Sequence, residues 1–511
     1  MSRPSLIAAV LLLAGLLAAP PAARAITLSA GFDSGSLDVA ASSVAGDTVT
    51  LVGRDNFNPG QWKWVYFAAD GVSGVRPTFE IGDNFATGGS NLNTHEMVYS
   101  YDGQAWQFFD NNARFAASDL YRFSNDAPFT SDRVYVAYGL PYPAGRATEH
   151  TQSLQGIPWV APTASADSGL VIGQSPGGVD DLGRTIDPQP LYGYRITDPA
   201  ATGRKAKVVL LGGVHSNETL GSRTLEAMVD YLTADTLEAA LLRRGAEFYV
   251  YPMANPDGRL AGYNRSTVEK PTLDPNRFWD PPAYGGQSEI AAVATAILAD
   301  TAGSVDFFID FHSTVAKGGD HFGYVDIDRG MHLNPVWRRF LELEPTVDTL
   351  DAGLVDDTAA KFGFAELGAR FTTTFETRFL AGENADRFVA LGENLGRAFA
   401  DTLAPLPEPG DVDLDGDLDA DDWLALSQWA QADLAGLSAL EAYTRGDLNA
   451  DGRNDVHDFA LFKAAYQSAH GDGAWARLLT AVPEPGAATL LALAGLAAAA
   501  PRSDRFATRS V

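Results

Sequence analysis

The sequence predicts an α/β fold: a mixed, mostly parallel sheet flanked by helices, preceded by an antiparallel β-sandwich and followed by a small α-helical module built on two acidic loops. Three observations predict it. Between residues 169 and 404, buried-type apolar runs alternate with segments of helical spacing, the texture of a parallel sheet with helices on its faces. Between 26 and 145, short alternating runs are cut by Gly, Asp, Asn and Pro, as in a sandwich. Beyond residue 410, an Asp-rich pattern occurs twice. A chain of 511 residues is in any case too long for one ordinary core.

Taken from the N-terminus, residues 1–25 read as a signal peptide. Arg3 begins a short basic region, Leu6 to Ala19 is apolar, and Ala23-Arg24-Ala25 has the small-x-small form of a cleavage site. In 26–145 the expected strands include Trp62 to Phe67, Thr78 to Ile81, Met97 to Tyr101 and Arg133 to Tyr138. The stretch 146–168 is rich in Pro, Gly, Ser and Thr and reads as a linker. In 169–404 the expected strands are 207–212, 248–253, 305–311 and 370–375, with helices over 218–232, 288–298 and 384–403. Residues 405–410 read as a second linker. The formal net charge of -28, with no cluster of Lys and Arg, excludes nucleic acid as a partner. The absence of cysteine excludes disulfides, thiolate zinc sites and a Cys nucleophile.

Strand 207–212 runs into Gly213-Val214-His215-Ser216-Asn217-Glu218. His215 and Glu218, three apart where strand gives way to helix, can offer an imidazole nitrogen and a carboxylate to one metal. Strand 305–311 leads to His312, and strand 370–375 leads to Glu376. Sites in open α/β sheets gather at the carboxyl ends of strands, so three strands deliver these four residues to one edge. Two His with one Glu make a zinc set that leaves a position open for water. Asn255-Pro256-Asp257-Gly258 alone would be a turn. Here it follows a strand and precedes Asn264-Arg265 and Asp274-Pro275-Asn276-Arg277, and Arg grips a carboxylate through its planar fork.

In this order, over roughly 169–404, these elements resemble the M14 zinc carboxypeptidases. The resemblance implies a carboxypeptidase-like fold and one catalytic zinc held by His215, Glu218 and His312. It implies Glu376 as general base, Arg265 polarising the scissile carbonyl, and Asn276 with Arg277 holding the C-terminal carboxylate of a peptide or protein. Phe32-Asp33-Ser34-Gly35, Trp64-Val65-Tyr66-Phe67 and Tyr99-Ser100-Tyr101-Asp102-Gly103 look like the sandwich of the cytosolic-carboxypeptidase branch. Two features depart from the pattern or refine it. Many members carry a substrate-capping Tyr between the second zinc His and the catalytic Glu, whereas no Tyr lies between Tyr324 and Glu376. Lys361 and Arg370 fall where the family places its specificity pocket, and a basic residue there would favour acidic C-terminal side chains. The run from Gly212 to Glu218 also looks like aspartoacylase-type deacylases and murein peptide amidases. A catalytically silent, surface-displayed binding protein is the reading from another class.

In 411–470, Asp411, Asp413, Asp415, Asp419 and Asp422 recur 36 residues later as Asp447, Asn449, Asp451, Asp455 and Asp458. Oxygen donors at loop positions 1, 3, 5, 9 and 12, with Gly416 or Gly452 at position 6, are what a calcium loop needs. The paired loops resemble a type I dockerin, which implies two structural calcium ions and a cohesin-type partner. In 482–511, Val482-Pro483-Glu484-Pro485, an apolar stretch and then Arg502, Arg505 and Arg509 resemble a PEP-CTERM sorting signal. That implies an exosortase-type processing enzyme and membrane contact at this end. With the signal peptide, it predicts an exported, extracellular or cell-surface protein.

Overall fold

A computed structural model describes residues 25–481, apart from 55, 58–63, 83–95, 116–119, 314–320, 379–383 and 405. Residues 1–24 of the expected signal peptide and the expected sorting segment 482–511 lie outside the described residues. Among the described residues no helix is long and apolar enough to cross a membrane.

The N-terminal region is a pair of five-stranded sheets. One runs Thr27–Ser29, Tyr66–Asp70, Arg133–Tyr138, Met97–Ser100, Gln107–Phe108, and the other runs Ser43–Ala45, Thr48–Leu51, Thr78–Gly82, Leu120–Ser124, Asn111–Phe115. Successive side chains of a strand point to opposite faces. Phe67, Ala69, Val134 and Val136 accordingly meet Val49, Phe79 and Phe123 of the second sheet. Trp64, Tyr66 and Ala137 point the other way and join the core of the α/β domain. Burial on both faces is why Trp64-Val65-Tyr66-Phe67 reads as a continuous apolar run. The expectation of an all-antiparallel sandwich is corrected at one pair: Thr48–Leu51 runs parallel to Thr78–Gly82. The intervening strand Tyr66–Asp70 lies in the other sheet, so the chain crosses over and re-enters in its original direction.

The stretch 146–168, expected as a linker, is structured. Helix α1 (Ala144–Ser153) buries Ala144, Ala147 and Thr151 along one face. Strand β1 (Val160–Pro162) then forms the edge of the central sheet by pairing antiparallel with β2 (Tyr194–Ile196). The remaining strands of that sheet are β3 (Ala206–Gly212), β4 (Ala246–Tyr251), β5 (Phe307–Ser313), β6 (Phe322–Val325), β7 (Asp348–Asp351) and β8 (Phe371–Thr377). Their spatial order is β1-β2-β4-β3-β5-β8-β6-β7, with the central strands β4, β3, β5 and β8 parallel.

The helices of this domain are α2 (Thr219–Thr233), α3 (Leu237–Gly245), α4 (Pro256–Leu260), α5 (Ser288–Asp300), α6 (Pro335–Leu343), α7 (Ala359–Ala365) and α8 (Ala385–Leu403). Val208 and Leu210 of β3 pack toward Met228 of α2 and Leu391 and Leu395 of α8. Val209 and Leu211 pack toward Ile290 and Val293 of α5 and Phe362 of α7. The fully buried central strands are thus apolar on both sides, as parallel strands between two helix layers must be.

The C-terminal module holds α9 (Ala420–Gln428), α10 (Ala439–Tyr443), α11 (Val456–His470) and α12 (Ala474–Ala481) around Val412, Leu426, Phe462 and Trp475. Its two loops are built alike. Asp419 and Asp455 each open a helix with a capping box completed by Asp422 and Asp458. The module touches the α/β domain where Ala439 N donates to Asp235 Oδ1 at 3.0 Å.

Candidate active site

His215 lies on the turn after β3, and Glu218 is the N-cap residue of α2. The Glu218 side chain makes no capping bond to its own helix, because it is turned to two imidazoles. His215 Nδ1 lies 2.8 Å from Glu218 Oε1, His312 Nδ1 lies 2.7 Å from Glu218 Oε2, and the two Nδ1 atoms are 3.0 Å apart. Strands β5 and β8 each run further than the sequence suggested, so His312 and Glu376 sit inside strands, directly paired in register. The far ring nitrogens face carboxylates: His215 Nε2 is 2.9 Å from Asp274 and His312 Nε2 is 2.6 Å from Asp310. A carboxylate acceptor places the ring proton on Nε2 and leaves the Nδ1 lone pair pointing inward.

That donor set fits zinc. Ligand atoms at about 2.0–2.2 Å on a tetrahedral ion stand about 3.3 Å apart, so the three residues need to open by only a few tenths of an ångström. The three are buried and converge as one group. Glu376 Oε2 is buried beside them with no hydrogen-bond partner. In the metal-free site these groups hold one another's charges. Burial would raise the Glu218 carboxyl, but the His215 and His312 imidazoles outweigh it and hold the group well below the usual range. Burial opposes a charge on His312, yet Asp310 and Glu218 raise it well above an ordinary imidazole. Burial and the Glu218 carboxylate push Glu376 up to about 8, against the pull of His312 and Arg265.

Asn255-Pro256-Asp257-Gly258 opens a helix rather than a turn. Asn255 Oδ1 accepts from Gly258 N at 3.0 Å, and its amide donates to the carbonyls of Val214 and Ser266 at 3.2 and 3.0 Å. It thereby ties the loop carrying His215 to the segment carrying Arg265. Arg265 Nε donates to Asp274 Oδ2 at 2.8 Å and Nη1 to Glu218 Oε1 at 3.3 Å. The Asn276 amide is committed within the protein: its nitrogen donates to Asp310 Oδ2 at 3.4 Å, and its oxygen accepts from Ala359 N at 2.9 Å. Arg277 is exposed and donates through Nη1 to the Asn276 carbonyl at 2.6 Å.

A cavity of about 350 Å³ opens onto these groups, lined also by Arg277, Tyr324, Thr374 and residues 351–355. Lys361 and Arg370, expected near a specificity pocket, do not line it. Lys361 pairs with Asp356 at 3.5 Å. Arg370 directly precedes β8 and pairs with Asp306 at 3.8 Å, at the strand end opposite Glu376. Sequence reasoning assigned no role to Asp274 and Asp310, although both stand in the motifs that carry Asn276 and His312. A carboxylate two residues before such a group was the available signal.

In the first acidic loop, Asp411, Asp413 and Asp415 converge as one group, and Asp419 and Asp422 converge with Asp417 as a second. Asp422 Oδ1 accepts from Val412 N and Asp413 N, and Asp458 Oδ1 accepts from Leu448 N and Asn449 N in the same pattern. Gly416 N and Gly452 N donate to Asp411 and Asp447. The second loop, with Asp447, Asn449, Asp451 and Asp455, brings no three carboxylates together among the described residues.

Residues 178–314, which span both histidines, Glu218, Arg265 and Arg277, match the family Zinc carboxypeptidase, Peptidase M14. That segment is similar to the M14 zinc carboxypeptidases. Among curated relatives, cytosolic carboxypeptidase 2 of Danio rerio is 25% identical over 265 residues, covering 48% of this chain and 35% of the relative. Cytosolic carboxypeptidase 6 of Mus musculus is 31% identical over 147 residues, covering 27% of each chain. The chain thus spans about a third or less of the length of these relatives. The metallo-carboxypeptidase from Burkholderia cenocepacia superposes with a TM-score of 0.62 at 22% identity, over 75% of this chain and 100% of that one. The metallo-carboxypeptidase from Pseudomonas aeruginosa, in complex with (2-guanidinoethylmercapto)succinic acid, gives 0.57 at 19% identity, over 73% and 98%. These overlaps exceed what 169–404 alone can supply, so the fold shared with these structures extends into the N-terminal region.

Proposed function

We propose that this protein is a metallocarboxypeptidase that removes the C-terminal residue of peptides or proteins. The observation that carries the reading is the convergence of His215, Glu218 and His312 within 3.0 Å of one another, beside the unpartnered oxygen of Glu376. His215, Glu218 and His312 would hold the zinc, which when bound supplies Lewis acidity and an acidified water. Glu376 takes the proton of the attacking water and returns it to the leaving amine; its buried, unpartnered oxygen is free for that exchange. Arg265, fixed by Asp274, faces the scissile carbonyl and stabilises charge as it develops on that oxygen. Arg277 presents its guanidinium to the free carboxylate at the substrate's end, which makes cleavage exopeptidic. Asn276, bonded to Asp310 and Ala359, holds the wall on which Arg277 stands.

The test is hydrolysis of C-terminally free and amidated peptides by the full chain, with and without a zinc chelator. Chelator-sensitive release of single residues from free C-termini is the expected result. Cleavage of amidated or acylated substrates instead would move the site to an amidohydrolase. Cleavage of neither, with zinc bound, would favour a displayed binding protein.

We also read the paired loops as two calcium sites of a dockerin-like module, supported by their matched capping boxes and by Asp411 Oδ1, buried without a partner. Titration with calcium, followed by calorimetry, tests this; an absence of heat would remove it. A cohesin-type partner, export through the signal peptide and exosortase-type processing at 482–511 complete the reading. Finding the mature chain in the cytoplasm would overturn the last two.

A further inference from the structure

Arg259, in the last turn of α4, is 1% exposed. Its guanidinium bonds mainly to the backbone. Nη1 donates to the Tyr142 carbonyl at 2.8 Å. Nη2 donates to the His215 carbonyl at 3.4 Å, the Glu218 carbonyl at 3.3 Å and Ser222 Oγ at 3.3 Å. Two of the acceptors are the carbonyls of two metal-ligand residues. Fixing both carbonyls fixes the turn 215–218, and with it the separation of the His215 and Glu218 side chains. The third carbonyl belongs to the segment by which the sandwich strand Arg133–Tyr138 leads into α1.

The same domain grips the chain on either side of this contact. Ser34 N donates to Leu260 O at 3.0 Å, and Arg54 Nη1 to Ala261 O at 2.5 Å. A Cβ on Gly262 would lie 2.2 Å from the Gly35 carbonyl oxygen, so the two backbones are in direct contact there. Trp64 N donates to Asn264 Oδ1 at 3.0 Å, and Asn264 N to Asn56 Oδ1 at 2.9 Å. The segment from Arg259 to Arg265 is therefore laid against the N-terminal domain, while Arg259 bonds the backbone of the turn 215–218 and Arg265 bonds the Glu218 carboxylate.

We propose that Arg259 is a positioning residue for the metal centre, through which the N-terminal sandwich holds His215 and Glu218 in chelating geometry. The inference rests on the zinc reading above. A guanidinium is required because one planar group must donate in two directions at once, to Tyr142 and to the ligand turn. Methionine has comparable length and no donor, and lysine keeps the charge without the fork.

The experiment compares full-length wild type, R259M and R259K. It reads the zinc dissociation constant by competition with a chelator of known affinity, and the melting temperature of each zinc-free protein. Loss of an outer partner of a metal ligand costs about 10–100-fold in affinity. R259M should therefore bind zinc at least about tenfold more weakly, with R259K in between, even where zinc-free melting is unchanged. Should R259M not fold, R259K decides alone: weaker zinc binding supports the inference and wild-type affinity overturns it. Folded variants that all bind zinc within about twofold of wild type would also overturn it. A wild-type chain that takes up no zinc would sink the metallopeptidase reading, and this inference with it.

Discussion

Glu376 and His312 are register partners on the adjacent parallel strands β8 and β5. Partners in register leave a sheet on the same face, about 4.8 Å apart at the backbone. The proposed metal ligand and the proposed proton acceptor are thus held side by side by ladder hydrogen bonds, without reliance on a loop. The glutamate stands outside the converging group of His215, Glu218 and His312.

Glu376→Gln should lower kcat by about 10²–10⁴-fold, the usual yield of a positioned general base. Zinc content should stay at one per chain, since Glu376 is not among the three converging ligands. Turnover assays paired with metal analysis of the purified variant check this. Wild-type turnover would remove the assigned base.

The zinc-free chain should carry a pH signature of the same residue. The folded carboxyl of Glu376 is raised from 4.5 to about 8. Between those values the folded state keeps a proton that the unfolded state has lost, so this group's contribution to stability falls as pH rises. Relative to Glu376→Gln, wild type should match below about pH 4.5, lose ground up to about pH 8 and then run parallel. Urea denaturation of both proteins with EDTA present reads the difference. A constant offset across that range would contradict the assignment.

Asp310→Asn replaces the acceptor that fixes the His312 tautomer at 2.6 Å. Zinc affinity should drop by about 10–100-fold. Asp274→Asn should do the same through His215, and should also release Arg265, which shares that carboxylate. The two variants are then separable: with zinc saturating, only Asp274→Asn should retain a deficit in kcat. Equal recovery of both would show that Arg265 does not depend on Asp274.

Gly221 lies where α2 crosses β5 at the second histidine. A Cβ there would stand 2.6 Å from the His312 carbonyl oxygen and 2.8 Å from its carbonyl carbon and amide nitrogen. Gly221→Ala should destabilise the zinc-free protein by about 1–3 kcal/mol, as overpacking does, and weaken zinc binding as well. Chemical denaturation with a parallel zinc titration tests it; a variant normal in both would mean that the helix can shift freely.

The convergence of His215, Glu218 and His312 was legible because each lies in or just beyond the end of an apolar run, which marks a sheet edge. What surrounds them was less so. Asp274 and Asp310 look like any acidic loop or strand residue until folding sets them behind a ring nitrogen. Arg370 and Glu376 are six residues apart in sequence, yet an extended strand carries them about 20 Å apart, to opposite ends of the sheet. The role of 146–168 was hidden by its composition: proline and serine mark turns, and the three-residue strand β1 is too short to show a period. The parallel pair in the sandwich depends on which sheet each strand joins, and alternation alone does not record that.

Tyr66, Trp64 and Ala137 belong to the sandwich by topology and to the α/β core by packing. A protease nick or genetic truncation near residue 168 would not yield two tidy halves. It would leave an oily scar on each piece, take an edge strand from the larger one and unhook the arginine that steadies the metal turn. What appears in the sequence as an accessory domain is, in material terms, a buttress standing behind the segment that carries Arg259 and Arg265.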